Sequence, residues 1–167
     1  MTEVLYQKAV ESAKITGNDV VFDAYSGIGT IGMVASKNAK RVIAVELVKE
    51  AVADARRNAK ENGVNNISFY CDDASSFMVS MAKRGEHVDV LFMDPPRKGS
   101  DERCLNAVCQ LSPSRIVYVS CDPSTLARDV AYLSKKYDLL TLQPVDMFPH
   151  TMHVETVAML RLKDSKK

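Results

Sequence analysis

The chain has 167 residues, of which 46% are hydrophobic and 26% charged, and its formal net charge is +1. That length suits one domain, since domains commonly run ~100–200 residues, and no apolar run approaches the ~20 residues that a membrane helix needs. A charge so near zero speaks against a module that grips nucleic acid mainly by neutralising phosphates, which calls for a marked basic excess.

The opening residues, Met1-Thr-Glu-Val-Leu-Tyr-Gln7, lack the basic start, apolar stretch and small-residue cleavage site of a secretory signal, so a cytoplasmic address without membrane contact is expected. Thr2 to about Ile15 reads as a helix, with Val4, Leu5, Ala9 and Ala13 near one face and Thr2 as a candidate cap. Strand-length apolar runs follow at Val20–Ala24, Val42–Val45, Ile67–Tyr70, Val88–Met93 and Ile116–Ser120. They alternate with helix-period stretches such as Leu47–Asn62 and Ser124–Lys136. Continuous runs such as Val-Leu-Phe-Met suit strands covered on both faces. The last third changes character. Leu139–Val145 and Val154–Leu162 are β-type runs joined by Asp146–His153 with no long helix between them, which predicts an antiparallel edge pair. The expectation is a single α/β domain over 1–167, a doubly wound, mostly parallel, seven-stranded sheet with that pair at its C-terminal edge. Lys163–Lys167 reads as a solvated end.

Asp23-Ala-Tyr-Ser-Gly27-Ile-Gly29-Thr-Ile-Gly32 leaves the first strand and opens a helix, where glycines let a ligand approach the backbone. Glu46 ends the second strand, where a carboxylate accepts both hydroxyls of a ribose, so an adenosine-containing ligand is expected. The same pattern matches a dinucleotide fingerprint and leaves a nicotinamide oxidoreductase open. Three acidic sites favour S-adenosylmethionine: Asp23 suits a cationic amino group, Asp72-Asp73 an adenine edge, and Asp94 lies beside the expected methyl donor. A pyrophosphate would be repelled by so many carboxylates.

Ligands of open α/β sheets bind outside the carboxyl ends of the strands, so Asp94-Pro-Pro-Arg-Lys-Gly99 and Ser120-Cys-Asp-Pro-Ser-Thr125 should face the same crevice. Pro95 and Pro96 fix their φ near −65° and stiffen a loop that aims Asp94, a carboxylate suited to holding a planar base. Cys121 narrows the chemistry, because carbon 5 of uracil accepts a methyl group only after a nucleophile adds at carbon 6, and a thiolate does this. An isolated cysteine is more often a buried structural thiol, but this one ends a strand at the crevice. Cys71, Cys104 and Cys109 are assigned to packing, and the absence of any C-x-x-C argues against a zinc or redox site. A base must then remove the carbon 5 proton. Glu155 is the candidate in the run Asp146 to Glu155, with His150 and His153 as rivals and no metal expected.

These segments together resemble the RNA uracil-5-methyltransferase family that modifies 23S ribosomal RNA and tRNA. The resemblance runs from Thr2 to about Leu162 and is carried by Asp23-Ala-Tyr-Ser-Gly-Ile-Gly-Thr30, Asp94-Pro-Pro-Arg-Lys-Gly99, Ser120-Cys-Asp-Pro-Ser-Thr125 and Asp146-Met-Phe-Pro-His-Thr-Met-His-Val-Glu155. It implies a class I, Rossmann-like methyltransferase fold, with S-adenosyl-L-methionine as donor and S-adenosyl-L-homocysteine as product. Cys121 is implied as nucleophile and Glu155 as base, with Tyr25, Gly27, Gly29, Thr30, Glu46, Asp73 and Asp94 at the cofactor and Asp94 and Arg97 at the substrate. The wording around the glycines is closer to the ribosomal branch of Gram-positive bacteria than to the tRNA branch, so the expected partner is RNA, ribosomal before transfer, with no obligatory protein partner. Ser26 stands where many relatives carry cysteine. Family members also carry an N-terminal RNA-binding β-barrel, a central region that in some holds an iron–sulfur cluster, and an aromatic-x-Gln element just before the Thr2 position; the expectation is an excised catalytic domain that binds cofactor and RNA poorly. Methylation of an exocyclic base nitrogen, which needs neither Cys121 nor Glu155, and a non-catalytic RNA-binding role are the competing readings.

Overall fold

The computed structural model describes residues 2–146 and 154–164. In chain order the elements are α1 (Thr2–Ala13), β1 (Val20–Asp23), α2 (Thr30–Ser36), β2 (Arg41–Glu46), α3 (Lys49–Glu61), β3 (Ile67–Cys71), α4 (Ala74–Lys83), β4 (Val90–Met93), α5 (Glu102–Leu111), β5 (Arg115–Ser120), α6 (Pro123–Leu133), β6 (Tyr137–Val145) and β7 (Glu155–Leu162). Thr2 lies inside α1, so the cap position proposed for it falls one residue earlier, outside the described residues.

Strand order is β3-β2-β1-β4-β5-β7-β6. The first five strands run parallel, whereas β7 pairs antiparallel with both β5 and β6. This is the doubly wound sheet with an antiparallel edge pair that the apolar runs predict. Side chains alternate between faces with period two, and the core divides accordingly. Val21, Val42, Val90, Phe92, Val117 and Val119 meet α1 and α2, while Phe22, Ile43, Leu91, Met93, Ile116 and Tyr118 meet α4, α5 and α6. A smaller cluster, Val52, Ala55 and Ala59 with Ala44 and Phe69, seats α3.

The order reverses between β1 and β4, whose neighbours lie on opposite sides. That is where a crevice opens beyond the carboxyl ends of the strands. Because β7 runs the other way, its first residue, not its last, reaches this edge. The ladder between β5 and β7 ends where Ser120 pairs with Thr156, so Cys121 follows β5 and Glu155 opens β7 at the same edge of the sheet, and Glu155 also pairs with Val145 of β6.

Candidate active site

Gly27, between β1 and α2, has φ of 53° and Gly29 has 88°, left-handed values that side chains with a Cβ adopt at a cost. The Gly27 amide donates to Glu46 Oε2 at 2.9 Å, and the Val48 amide donates to Oε1 at 2.9 Å. Glu46 therefore ties the turn after β1 to the start of α3. An ionised carboxylate offers about four lone-pair sites, so both oxygens retain acceptor capacity for hydroxyls. Gly29 lines neither cavity described below: a Cβ there would lie 2.8 Å from the Phe69 ring and 3.3 Å from Ala55 Cβ. Its smallness lets α2 pack on β3 and α3.

Two cavities meet at Tyr25. One, of about 430 Å³, is lined by Tyr25, Glu46, Val48, Asp73, Lys98 and Cys104 among others. The other, of about 220 Å³, is lined by Tyr6, Tyr25, Gly27, Thr30, Ile31 and Asp94 among others. The Tyr25 hydroxyl is anchored at Cys104 Sγ, 3.3 Å away, with Ser100 Oγ at 3.4 Å, so the ring stands as a fixed divider. Six of the seven expected cofactor residues thus line one crevice. Asp73 lines it while also capping α4: its Oδ1 accepts from the Ser76 amide at 2.9 Å and pairs with Arg103 at 3.2 Å.

Acids gather at this end of the sheet. Asp23 is fully buried; its Oδ2 accepts from the Gly32 amide at 3.0 Å, but Oδ1 has no hydrogen-bond partner among the described residues. Burial, reinforced by Asp94 and Glu46, pushes its carboxyl up to about 7. Asp94 is pushed up to about 6 by burial, with Glu155 adding to the rise and a hydrogen bond from Tyr6 opposing it.

At the end of β5, the Ser120 hydroxyl donates to the Asp122 carbonyl at 2.9 Å and accepts from the Asp122 amide at 3.1 Å, pinching a turn around the half-buried Cys121. Asp122 caps α6, accepting from the Ser124 amide and hydroxyl and the Thr125 amide. The Ser124 hydroxyl bond first, then those amides, hold its carboxyl below the usual range, with Arg97 contributing. The negative charge next to the thiol is thereby engaged by the helix start. Arg97 is exposed, and its carbonyl accepts from the Thr125 hydroxyl at 3.1 Å. His150 and His153, the rival bases, lie outside the described residues.

Residue reading missed two contributors. Tyr6 of α1 donates its hydroxyl to Asp94 Oδ2 at 3.0 Å across 88 positions of sequence, a contact no local pattern announces. Asp129 of α6, fully buried, accepts from the Ser100 amide, the Tyr118 hydroxyl and Arg128. A signal existed for it: Leu126, Asp129 and Leu133 share the buried face of the helix, and an acid on such a face needs partners.

A family model described as tRNA (uracil-5-)-methyltransferase matches residues 1–163. An uncharacterized RNA methyltransferase of Staphylococcus aureus is 50% identical over 162 residues, 97% of this chain and 36% of that protein. One from Caldanaerobacter subterraneus is 51% identical over 160 residues, 95% of this chain and 35% of that protein. The chain therefore spans about a third of the length of these curated relatives. The crystal structure of the Pyrococcus abyssi tRNA (uracil-54, C5)-methyltransferase in complex with S-adenosyl-L-homocysteine matches with a TM-score of 0.79 at 34% identity, over 94% of this chain and 37% of that one. An rRNA methylase from Streptococcus thermophilus matches with a TM-score of 0.74 at 13% identity, over 96% of this chain and 95% of that one, and shares the class I methyltransferase fold alone.

Proposed function

The chain belongs to the tRNA (uracil-5-)-methyltransferase family, and from that membership we propose that it methylates carbon 5 of a uridine in RNA with S-adenosylmethionine as donor. The observation that carries this reading is that Cys121, the residue after β5, and Glu155, the first of β7, flank the last pair of one antiparallel ladder, on the sheet edge where the glycine turn and Asp94 also lie.

The crevice fits the donor on chemical grounds. A fully buried carboxylate oxygen with no partner among the described residues, close to Asp94 on the wall of the smaller cavity, is starved of positive charge, and an amino-acid ammonium supplies it. The larger cavity, with Glu46 and Asp73 on its wall, accommodates an adenosine. S-adenosylmethionine, when bound, supplies an electrophilic methyl group on its sulfonium.

Each side chain then has a task. Asp94, largely ionised at neutral pH, accepts a hydrogen bond from the ring N–H of uracil and holds the base in plane. The Cys121 thiolate adds at carbon 6, breaking the ring double bond and moving its electron pair to carbon 5, which becomes nucleophilic. After methylation Glu155 takes the carbon 5 proton, the double bond reforms and the thiolate leaves. Arg97, on the exposed part of the Asp94 loop, meets the RNA backbone near the flipped base.

A ribosomal target is supported by the wording of the glycine turn. The names of the bacterial relatives at about 50% identity give RNA alone, and the archaeal enzyme at 34% is a tRNA methyltransferase, so both RNAs enter the test. The test uses full-length protein and 23S ribosomal RNA or tRNA containing 5-fluorouridine. Fluorine cannot leave as a cation, so the adduct is trapped and appears as a protein–RNA band resistant to denaturant, and mapping its position identifies the uridine. Cys121→Ala should abolish that band. Methylation of ordinary RNA by the Ala variant at the wild-type rate would remove covalent catalysis and favour an exocyclic nitrogen as acceptor.

A further inference from the structure

Asp94 needs more than its two prolines to do this work. Pro95 and Pro96 fix backbone φ, but the terminal torsion of an aspartate is broad and roughly two-fold, so the carboxylate plane is set by its partners. The partner the fold provides comes from the far end of the chain. Tyr6 Oη donates to Asp94 Oδ2 at 3.0 Å, and the Tyr6 ring walls the same 220 Å³ cavity as Asp94, Thr30 and Gly27. Leu5, Ala9, Val10 and Ala13 bury α1 against Val117, Val119 and Val157 of the sheet, so the phenol is delivered by core packing and not by a loose arm.

We propose that Tyr6 is a positioning residue for Asp94: its hydroxyl holds Oδ2 and leaves Oδ1 as the oxygen that receives the substrate base. This rests on the role given to Asp94 above. The titratable groups facing Asp94 are Tyr6 from α1, Asp23 from β1 and Glu155 from β7. Burial first, and then Glu155, disfavour ionised Asp94, whereas the Tyr6 hydrogen bond favours it. Burial first, and then Asp94 itself, hold the Tyr6 proton well above the ordinary phenol range, so it stays a donor at every working pH. Removing the hydroxyl must therefore raise the Asp94 pKa and free the carboxylate to rotate.

The experiment is Tyr6→Phe in the full-length protein, with kcat/KM for RNA measured from pH 5 to 9 alongside Tm. The acid limb is expected to move up by ~0.5–1 pH unit, giving a loss of ~10-fold or more at pH 6 and only ~3-fold at pH 8.5, where Asp94 is ionised in both proteins and only its orientation suffers. A profile that overlays the wild type, with or without a fall in Tm, overturns the inference, because a residue that merely packs α1 cannot shift a titration. Asp94→Asn separates the two levels. If it works as well as wild type, the role given to Asp94 fails and takes this inference with it; if it is inactive while Tyr6→Phe matches wild type at every pH, the Tyr6 inference alone fails.

Discussion

Asp23 carries a charge that the surrounding residues do not neutralise. Its carboxyl is pushed up to about 7 by burial and by two neighbouring acids, above an unfolded value near ~3.9. For an acid raised on folding, the native state binds more protons than the unfolded one between those two values. The contribution to stability is then favourable at low pH and is lost as pH climbs through the folded pKa. Asp23→Asn keeps an acceptor for the Gly32 amide but removes the charge. In the cofactor-free protein it should add about 1–3 kcal/mol more stability at pH 8 than at pH 5, read as Tm at both values, while weakening S-adenosylmethionine binding at least ~10-fold. Equal gains at both pH values would assign the effect to packing. At this scale the sequence was readable where a residue type belongs to a strand end: Tyr25, Gly27, Thr30, Glu46, Asp73 and Asp94 all line the crevice. For Gly29 the packing reason was not readable, because what a Cβ there would meet is Phe69, forty residues on in β3.

Among the elements, α6 does more than follow the nucleophile. Its Thr125 hydroxyl holds the Arg97 carbonyl, Arg128 holds the carbonyls of Lys98 and Ser100, and Asp129 holds the Ser100 amide. One helix thus fixes the loop after β4 relative to the loop after β5, and so fixes the spacing of Asp94 and Cys121. Asp129→Ala would take this acceptor from the Ser100 amide and the Tyr118 hydroxyl, while Arg128 keeps the Lys98 and Ser100 carbonyls, and should cost about 2–4 kcal/mol, seen as a lower urea midpoint. Gly99→Ala is a gentler probe of the same joint. At φ 75° its new Cβ would lie 2.6 Å from Arg128 Nη2 and 2.7 Å from Asp129 Oδ2, so the loop must shift. The yield of trapped 5-fluorouridine adduct should fall ~10-fold or more from a misplacement of this size, with a smaller loss in stability; an unchanged yield would mean the joint tolerates the shift. Most strands were legible from apolar runs within a residue or two. In contrast α4 was hidden, since Asp73-Ala-Ser-Ser is an N-cap signature that reads equally well as a ligand acceptor. Helix α6 ends at Leu133, not Lys136, because Tyr137 is drawn into β6, where it is fully buried.

Across the whole molecule, a net charge of +1 conceals a separation. Asp23, Glu46, Asp94 and Glu155 gather at the carboxyl edge of the sheet, placed there by the ends of β1, β2 and β4 and by the reversal of β7. Local patterns announce the strand ends, but the gathering itself is a property of topology: the order β2-β1-β4-β5-β7 brings Asp94 near both Asp23 and Glu155, each more than sixty residues away along the chain. Such an edge selects ligands by sign. A dinucleotide brings a pyrophosphate into a field that opposes it, whereas S-adenosylmethionine brings a sulfonium and an ammonium. The two acids with raised values, about 6 for Asp94 and about 7 for Asp23, become fully charged only above neutrality. Cation binding should therefore strengthen as pH rises through that window. The rise in Tm produced by S-adenosylmethionine is expected to be small at pH 5 and larger by several degrees at pH 8, corresponding to ~10-fold or more in affinity. S-adenosylhomocysteine, which keeps the ammonium but lacks the sulfonium charge, should show a similar but shallower trend, and NADH should produce no shift at either pH. A Tm rise with NADH, or one with S-adenosylmethionine that is flat from pH 5 to 8, would mean that the acidic edge does not set the choice of cofactor.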